Sequence, residues 1–250
     1  MEVTILGSQG TWPGPGGQTC GYLVSHAGFH LWVDAGTGTF ARLQEHVSIG
    51  DIGGMLITHG HPDHFVDMIP AFYARHYGKL GKAGLPFWSP DGFTDLAALL
   101  VSENGRNVMA EAYDFRAADG GMPFEIGPFR VTPFVMTHVG VKALGYRIEA
   151  GGDVLAYTGD TGPCDEVVDL ARDADVFLAE ATYQDSSTLM PFHLSARQAG
   201  EIAQAAGARR LVLTHLTPDL DPVVSLREAS EAFDGVVDLA ITAMVLEVGA

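Results

Sequence analysis

The feature that most limits this chain is an apolar run, Met55-Leu56-Ile57-Thr58, that passes without a break into His59-Gly60-His61-Pro62-Asp63-His64. A short run of this kind suits a strand buried on both faces, and such strands belong to layered α/β folds. Three imidazoles and a carboxylate cannot enter a core unpaired, so the strand has to end where loops gather. Alternate residues of an extended segment share a side, which puts His59 and His61 together. Pro62 fits the first turn of a helix, so Asp63 and His64 turn toward a different point. The spacing predicts two sets of donors rather than one polar turn.

Periodicity predicts strands at 3–6, 20–25 and 30–34, a helix at 39–46, a strand at 54–58 and a helix from His64 to about Tyr77. A strand at 85–89, helical segments within 93–113 and strands at 123–137, 143–150 and 153–158 follow. The last part reads as helix 164–172, strand 175–180, helix 195–206, strand 211–214, helix 222–233 and strand 236–247. Twice a run of strands gives way to strand-helix alternation. This predicts an α/β fold of two similar halves, their sheets face to face and helices outside, a four-layer αββα sandwich. No proline- or serine-rich linker divides the halves, so residues 1–250 read as a single domain. The breaker-rich loop GSQGTWPGPGGQTCG, residues 7–21, is either a surface connection or a flap over the strand ends.

With 31 acidic against 14 basic residues the formal charge is -17, which argues against a broad nucleic-acid surface. No apolar run is long enough to cross a bilayer and the N-terminus does not read as a secretory signal, so the expected location is the cytoplasm. Cys20 and Cys164 form no C-x-x-C pair and read as free thiols rather than a thiolate metal site. The aromatic residues between Phe65 and Tyr77 fall at helical spacing and read as core.

Further donors stand where other apolar strands end: His138 after 131–137, Asp160 after 154–158 through Gly159, and His215 after 211–214. Taken singly, each histidine suits a solvated turn and Asp160 suits a helix cap. Asp34 and Thr58 occupy strand ends that fit a ligand-orienting role, with Asp34 equally suited to a turn. Ser195 and Gln198 form an S-x-x-Q capping box, which leaves the nearby His193 without a structural task.

The ordered set THGHPDH, MTHVG, YTGDT, EATY, FHLSARQAG and LTHL resembles the motifs of the metallo-β-lactamase superfamily, in its ribonuclease Z and phosphodiesterase branch. The resemblance runs over essentially the whole chain and implies the αββα fold. It implies that His59, His61 and His138 bind one metal, that Asp63, His64 and His215 bind another, and that Asp160 bridges them. Nitrogen and oxygen donors without thiolate suit two divalent ions, Zn first and Mn as the alternative. Two such ions lower the pKa of a water between them and clamp phosphoryl oxygens. The resemblance also implies that His193 contacts the scissile phosphate and protonates the leaving oxygen, with Glu180 holding its orientation. Asp63, His193 and Glu180 are therefore the residues assigned to catalysis.

Members of the thioesterase and β-lactamase branches place the third histidine in a Gly-rich G-H-[ST]-x-G context, which MTHVGVKALGYRIE does not resemble. Ribonucleases Z often carry a long basic arm between the third histidine and the bridging aspartate. Here residues 139–159 read as two strands joined by Ala150-Gly151-Gly152-Asp153, with no room for an arm. The expectation is hydrolysis of a small phosphodiester, above all a cyclic nucleotide, by a metal-bridging hydroxide. Extended nucleic acid and membranes are not expected partners, and the resemblance leans toward a homodimer. Two alternatives stand: an RNA 3'-processing nuclease of the ribonuclease Z type, using Arg75, Lys79, Lys82 and Arg106, and a lactone or thioester hydrolase.

Overall fold

In the computed structural model, which describes residues Met1–Gly249, the first strand β1 (Glu2–Gly7) shows the pattern that builds the molecule. Its Val3 and Ile5 point into one apolar cluster and Leu6 into another, so the strand is buried on both faces. An antiparallel meander continues through β2 (Gly21–His26) and β3 (Phe29–Ala35). The parallel strands β4 (Gly54–Leu56), β5 (Leu85–Pro90) and β6 (Tyr113–Ala118) extend it. Parallel neighbours need crossover connections. These are supplied by α1 (Thr39–His46), α2 (Pro62–Phe65), α3 (Met68–His76), α4 (Phe93–Leu99) and α5 (Gly105–Met109).

The second half repeats the plan. An antiparallel run through β7 (Phe124–Ile126), β8 (Phe129–Met136), β9 (Ala143–Ala150) and β10 (Asp153–Tyr157) passes into the parallel strands β11 (Val176–Glu180), β12 (Arg210–Thr214) and β13 (Val236–Leu239). Its helices are α6 (Asp165–Ala171), α7 (Ala196–Ala206) and α8 (Pro222–Ser230), and β14 (Val245–Glu247) closes the described chain. Two seven-stranded sheets result, ordered β14-β1-β2-β3-β4-β5-β6 and β13-β12-β11-β10-β9-β8-β7. Leu31 and Val33 of β3 meet Leu144, Tyr146 and Ile148 of β9 in the central cluster. Trp32, Phe72 and Phe87 form a second cluster under the helices of the first half, and Phe177, Leu211 and Ala203 a third under those of the second. The expected αββα layering is what the packing shows. No helix of the described residues is long and apolar enough to cross a membrane.

Four element expectations need correction, the first being the strand expected over 123–137, which is the antiparallel hairpin of β7 and β8. The helix expected over His64 to Tyr77 is two helices broken at Val66 and Asp67. The Asp67 N–H donates to the Ala35 carbonyl (2.8 Å) and its carboxylate accepts from Phe40 N–H (2.8 Å), so the break ties β3 and α1 together. Within this stretch Phe65 and Phe72 are core, as expected, but Tyr73 and Tyr77 are exposed. Next, β6 was not expected at all: YDFRAA exposes the paired Asp114 and Arg116 on an edge strand, and such charge masks the strand pattern. Finally, the strand expected over 236–247 is two strands in different sheets. Between them Ala240 N–H still reaches Leu213 O (2.8 Å), whereas Ala243 N–H reaches Ile5 O (2.8 Å), so the chain crosses from one sheet to the other.

Two local details matter for function. The β9–β10 connection turns on Gly151 (φ 63) and Gly152 (φ 96), both left-handed, which makes a tight hairpin where an arm would need a long insertion. The capping box at the start of α7 is formed as expected, with Ser195 Oγ accepting from Gln198 N–H and the Gln198 side chain accepting from Ser195 N–H.

Candidate metal centre

The donors meet at one edge of the sandwich because β3, β4, β8, β10, β11 and β12 all end there. His59 Nε2 and His138 Nε2 lie 3.1 and 3.0 Å from His61 Nδ1. Asp160 Oδ2 is 3.6 Å from His59 Nε2 and 3.8 Å from His138 Nε2. The other oxygen, Asp160 Oδ1, faces elsewhere, 3.1 Å from His64 Nε2 and 3.3 Å from His215 Nε2. Asp63 Oδ2 completes that second group, 3.3 Å from His215 Nε2 and 3.7 Å from His64 Nε2. All seven residues expected as donors are thus brought together, in two groups that share Asp160.

Hydrogen bonds from behind set which nitrogen of His59, His64, His138 and His215 faces inward. Asp34 is fully buried and accepts from Thr58 N–H (2.8 Å), Thr58 Oγ1 (2.8 Å), Tyr157 Oη (2.7 Å) and His64 Nδ1–H (2.7 Å). Because Thr58 Oγ1 gives its proton to Asp34, it accepts from His59 Nδ1–H (3.1 Å), and the lone pair of His59 Nε2 points at the cluster. His138 Nδ1–H donates to Phe192 O (2.9 Å), with the same result for its Nε2. His215 Nδ1–H donates to Thr182 Oγ1 (2.8 Å), which passes its own proton to Glu180 Oε2 (2.7 Å). Asp34 and Thr58 take the orienting positions expected for them. Tyr157, Thr182 and the Phe192 carbonyl are additional: Tyr157 lies in a core strand, and the only sequence signal for Thr182 is its place in EATY.

These residues fit divalent metal. His64 Nε2 and Asp160 Oδ1 are buried without a hydrogen-bond partner, which is costly unless something else satisfies them. The inward lone pairs of His59 and His138, crowded with His61 Nδ1, also call for a positive centre between them. Burial pushes the pKa of each of these three rings down, that of His59 furthest, which favours the neutral form that binds metal. Burial would lower His64 as well, but Asp160, Asp63 and Asp34 hold it well above the usual range. For Asp160 and Asp63 burial acts upward, yet the surrounding histidines hold both carboxyls below their ordinary values. Three carboxylates around His64 call for positive charge, and a divalent ion supplies it without the extra proton.

Cys20 lies behind this group, and burial pushes its thiol up to about 12. Burial favours its neutral thiol, its sulfur lies within 4.8 Å of His64 and His215 nitrogens, and both cysteines are free. Native protein at pH 8 is expected to leave Cys20 unmodified by iodoacetamide while the unfolded chain takes label on both thiols. Peptide mapping that finds Cys20 labelled in the native state would contradict its burial.

His193 lies outside the two donor groups. Its Nδ1–H donates to Glu180 Oε1 at 2.8 Å, and Glu180 also accepts from Thr161 N–H (2.8 Å). Burial acts to lower the His193 pKa, but the Glu180 charge and hydrogen bond raise it above the usual histidine range. The two oxygens of Glu180 thereby join His193 to the support of His215 through Thr182.

Residues 29–216 match the β-lactamase superfamily domain. An uncharacterized protein of Mycobacterium leprae is 34% identical over 257 residues, covering 100% of this chain and 89% of its own length. The probable metallo-hydrolase YhfI of Bacillus subtilis is 30% identical over 252 residues, covering 99% of this chain and 100% of its own. The crystal structure of YhfI, a metallo-β-lactamase fold protein, superposes with a TM-score of 0.89 at 26% identity over 98% of each chain. A ribonuclease Z of Methanopyrus kandleri is 29% identical over 275 residues, covering 95% of this chain and 94% of its own. With the donors gathered as the motifs required and the likeness running end to end, the chain belongs to the β-lactamase superfamily, in its ribonuclease Z-like branch, as a metallo-hydrolase.

Proposed function

We propose that this protein hydrolyses a small phosphodiester, above all a cyclic nucleotide, with two divalent ions, Zn or Mn. His59, His61, His138 and Asp160 would hold one ion, and Asp63, His64, His215 and Asp160 the other. Such ions, when bound, supply Lewis acidity toward a phosphoryl oxygen and lower the pKa of coordinated water.

The observation that carries the phosphodiester reading is the Glu180–His193 pair beside the cluster. Glu180 fixes His193 through Nδ1 and favours its protonated form. That leaves Nε2 to give a proton to the departing oxygen, which an alkoxide leaving group requires. The pair sits on the rigid end of β11 and the short segment before α7, so the proton is held at a fixed place.

Small size is supported by three observations. The β9–β10 hairpin is too tight to carry an arm. Arg75, considered for an RNA surface, is buried with its guanidinium donating to the Ile49 and Lys82 carbonyls. Arg106 is paired with Asp95. A chain at -17, with two of the four cations considered for RNA engaged and Lys79 and Lys82 left exposed, has little to neutralise a run of phosphates.

The test is a metal count combined with turnover of 3',5'- and 2',3'-cyclic nucleotides, a nitrophenyl phosphodiester, precursor transfer RNA and a lactone. Release of a nucleoside monophosphate, abolished by chelation and restored by Zn or Mn, is expected. Turnover of the lactone alone would sink the proposal, and cleavage of precursor transfer RNA with no cyclic nucleotide turnover would move it to RNA processing.

A further inference from the structure

The two donor groups are supported differently. The first takes its outer hydrogen bonds from Thr58 and Phe192, at the end of a core strand and in the segment before α7. The second takes its own from Asp34 and Thr182, and two of its donors are in addition touched by the glycine-rich loop after β1. Ser8 O accepts from His215 N–H (2.8 Å), and Gly10 N–H donates to Leu216 O (3.0 Å). Thr11 N–H donates to Asp63 Oδ2 (2.9 Å). Gly10 lies against the imidazole so closely that a Cβ there would stand 2.5 Å from His215 Nδ1 and 2.4 Å from His215 O.

The backbone at these contacts is unusual for its residues. Thr11 (φ 60) and His215 (φ 58) are both left-handed, a conformation that costs about 1–3 kcal/mol for a residue with a side chain. The loop is locked by its own bonds: Ser8 and Gln9 N–H both donate to Gln18 O (3.2 and 3.1 Å), and Gln9 Oε1 accepts from Gly14 N–H (2.7 Å). Its far side is not packed. There Ser8 and Gln9 line a cavity of about 380 Å³ with Leu216, Pro218 and Ile241. The loop is tethered on that side by Ser8 Oγ donating to Ala240 O (2.7 Å), and while His215 is also held by Thr182, Asp63 is reached by the Thr11 N–H alone among backbone groups.

From this asymmetry we infer that Ser8–Thr11 is the positioning element of the second donor group, and that it governs how firmly one of the two ions is held. The inference rests on the two-ion reading above. Ser8–Thr11 holds Asp63 through the Thr11 N–H and adds to the hold of Thr182 on His215, and the ion of the second group is the one that leaves first.

The test counts metal per chain by elemental analysis after graded dialysis against a chelator, with melting followed in parallel. The wild type should lose its ions in two stages. Gly10→Ala pushes a methyl into the His215 ring, and Thr11→Pro removes the N–H that binds Asp63 and forbids the left-handed φ. Each should weaken one ion about 10- to 100-fold, the effect usual for groups that orient ligands, and retain the other. Thr11→Gly keeps the N–H and adopts positive φ freely, so it should hold both ions as the wild type does. Two ions retained as in wild type by both Gly10→Ala and Thr11→Pro would overturn the inference, as would simultaneous loss of both in variants that melt normally. If Gly10→Ala does not fold, Thr11→Pro against Thr11→Gly decides alone. A wild type that never holds two ions would defeat the two-ion reading itself, which the count on unaltered protein shows first.

Discussion

Asp160→Ala is expected to leave the folded protein with neither ion at full occupancy and to lower kcat/KM on the order of 10³-fold or more. Lewis-acid stabilisation is worth several kcal/mol, and each ~1.4 kcal/mol is a factor of ten. No other donor touches both groups: Asp160 Oδ2 faces His59 and His138 while Oδ1 faces His64 and His215. Losing Asp63 or His215 would strip one group, but losing Asp160 strips both. Asp160→Asn sharpens the test, because it keeps the size and one acceptor oxygen and replaces the other by an NH2 that cannot ligate. It should hold at most one ion. Elemental analysis with a melting curve separates metal loss from unfolding. An Asp160→Ala protein with two ions and wild-type turnover would rule out a shared carboxylate.

His193→Ala carries the second large effect, and its signature is selective. On a cyclic nucleotide, where the departing group is a ribose alkoxide, the rate should fall about 10²- to 10⁴-fold, the usual worth of a placed proton donor. On an ester of 4-nitrophenol, which leaves without protonation, the loss should be far smaller. Metal content should not change, since His193 lies outside both donor groups. Glu180→Gln tests the tuning. The Glu180 carboxylate raises the His193 pKa, so removing its charge lowers it, and the protonated form is then lost at lower pH. The alkaline limb of kcat/KM should accordingly move toward acid. Equal losses on both esters, or an unmoved limb, would leave His193 without the role of acid.

Five of the seven donors were legible in the sequence because they follow the end of an apolar strand, where a polar side chain escapes the core, and Asp63 and His64 because they open the helix after it. His59, His61, His138, Asp160 and His215 all follow that rule. The groups behind them were less legible, since their partners are set by three-dimensional neighbours. Tyr157 reads as core and is core, its ring edge-on to Tyr22 at 4.8 Å, yet its hydroxyl is one of four donors to Asp34. Thr182 becomes a link between His215 and Glu180 only when β11 and β12 lie side by side. The loop of residues 7–21 was read as either connection or flap, and its bonds to Asp63 and His215 favour the flap. Among the elements, β6 escaped because an edge strand may carry charge. The 236–247 run was read as one strand because periodicity does not reveal where a chain changes sheets.

His59 and His64 follow a strand of one sheet and Asp160 a strand of the other, and Tyr157 reaches across the same seam between the sheets to Asp34. A slip of a single residue along a strand is about 3.3 Å, as large as the 3.1 and 3.6 Å separations of Asp160 from His64 and His59. The donor cluster is therefore a registration mark for the sandwich. Only one alignment of the two halves closes it, and binding energy gained there is returned as a penalty on every other alignment.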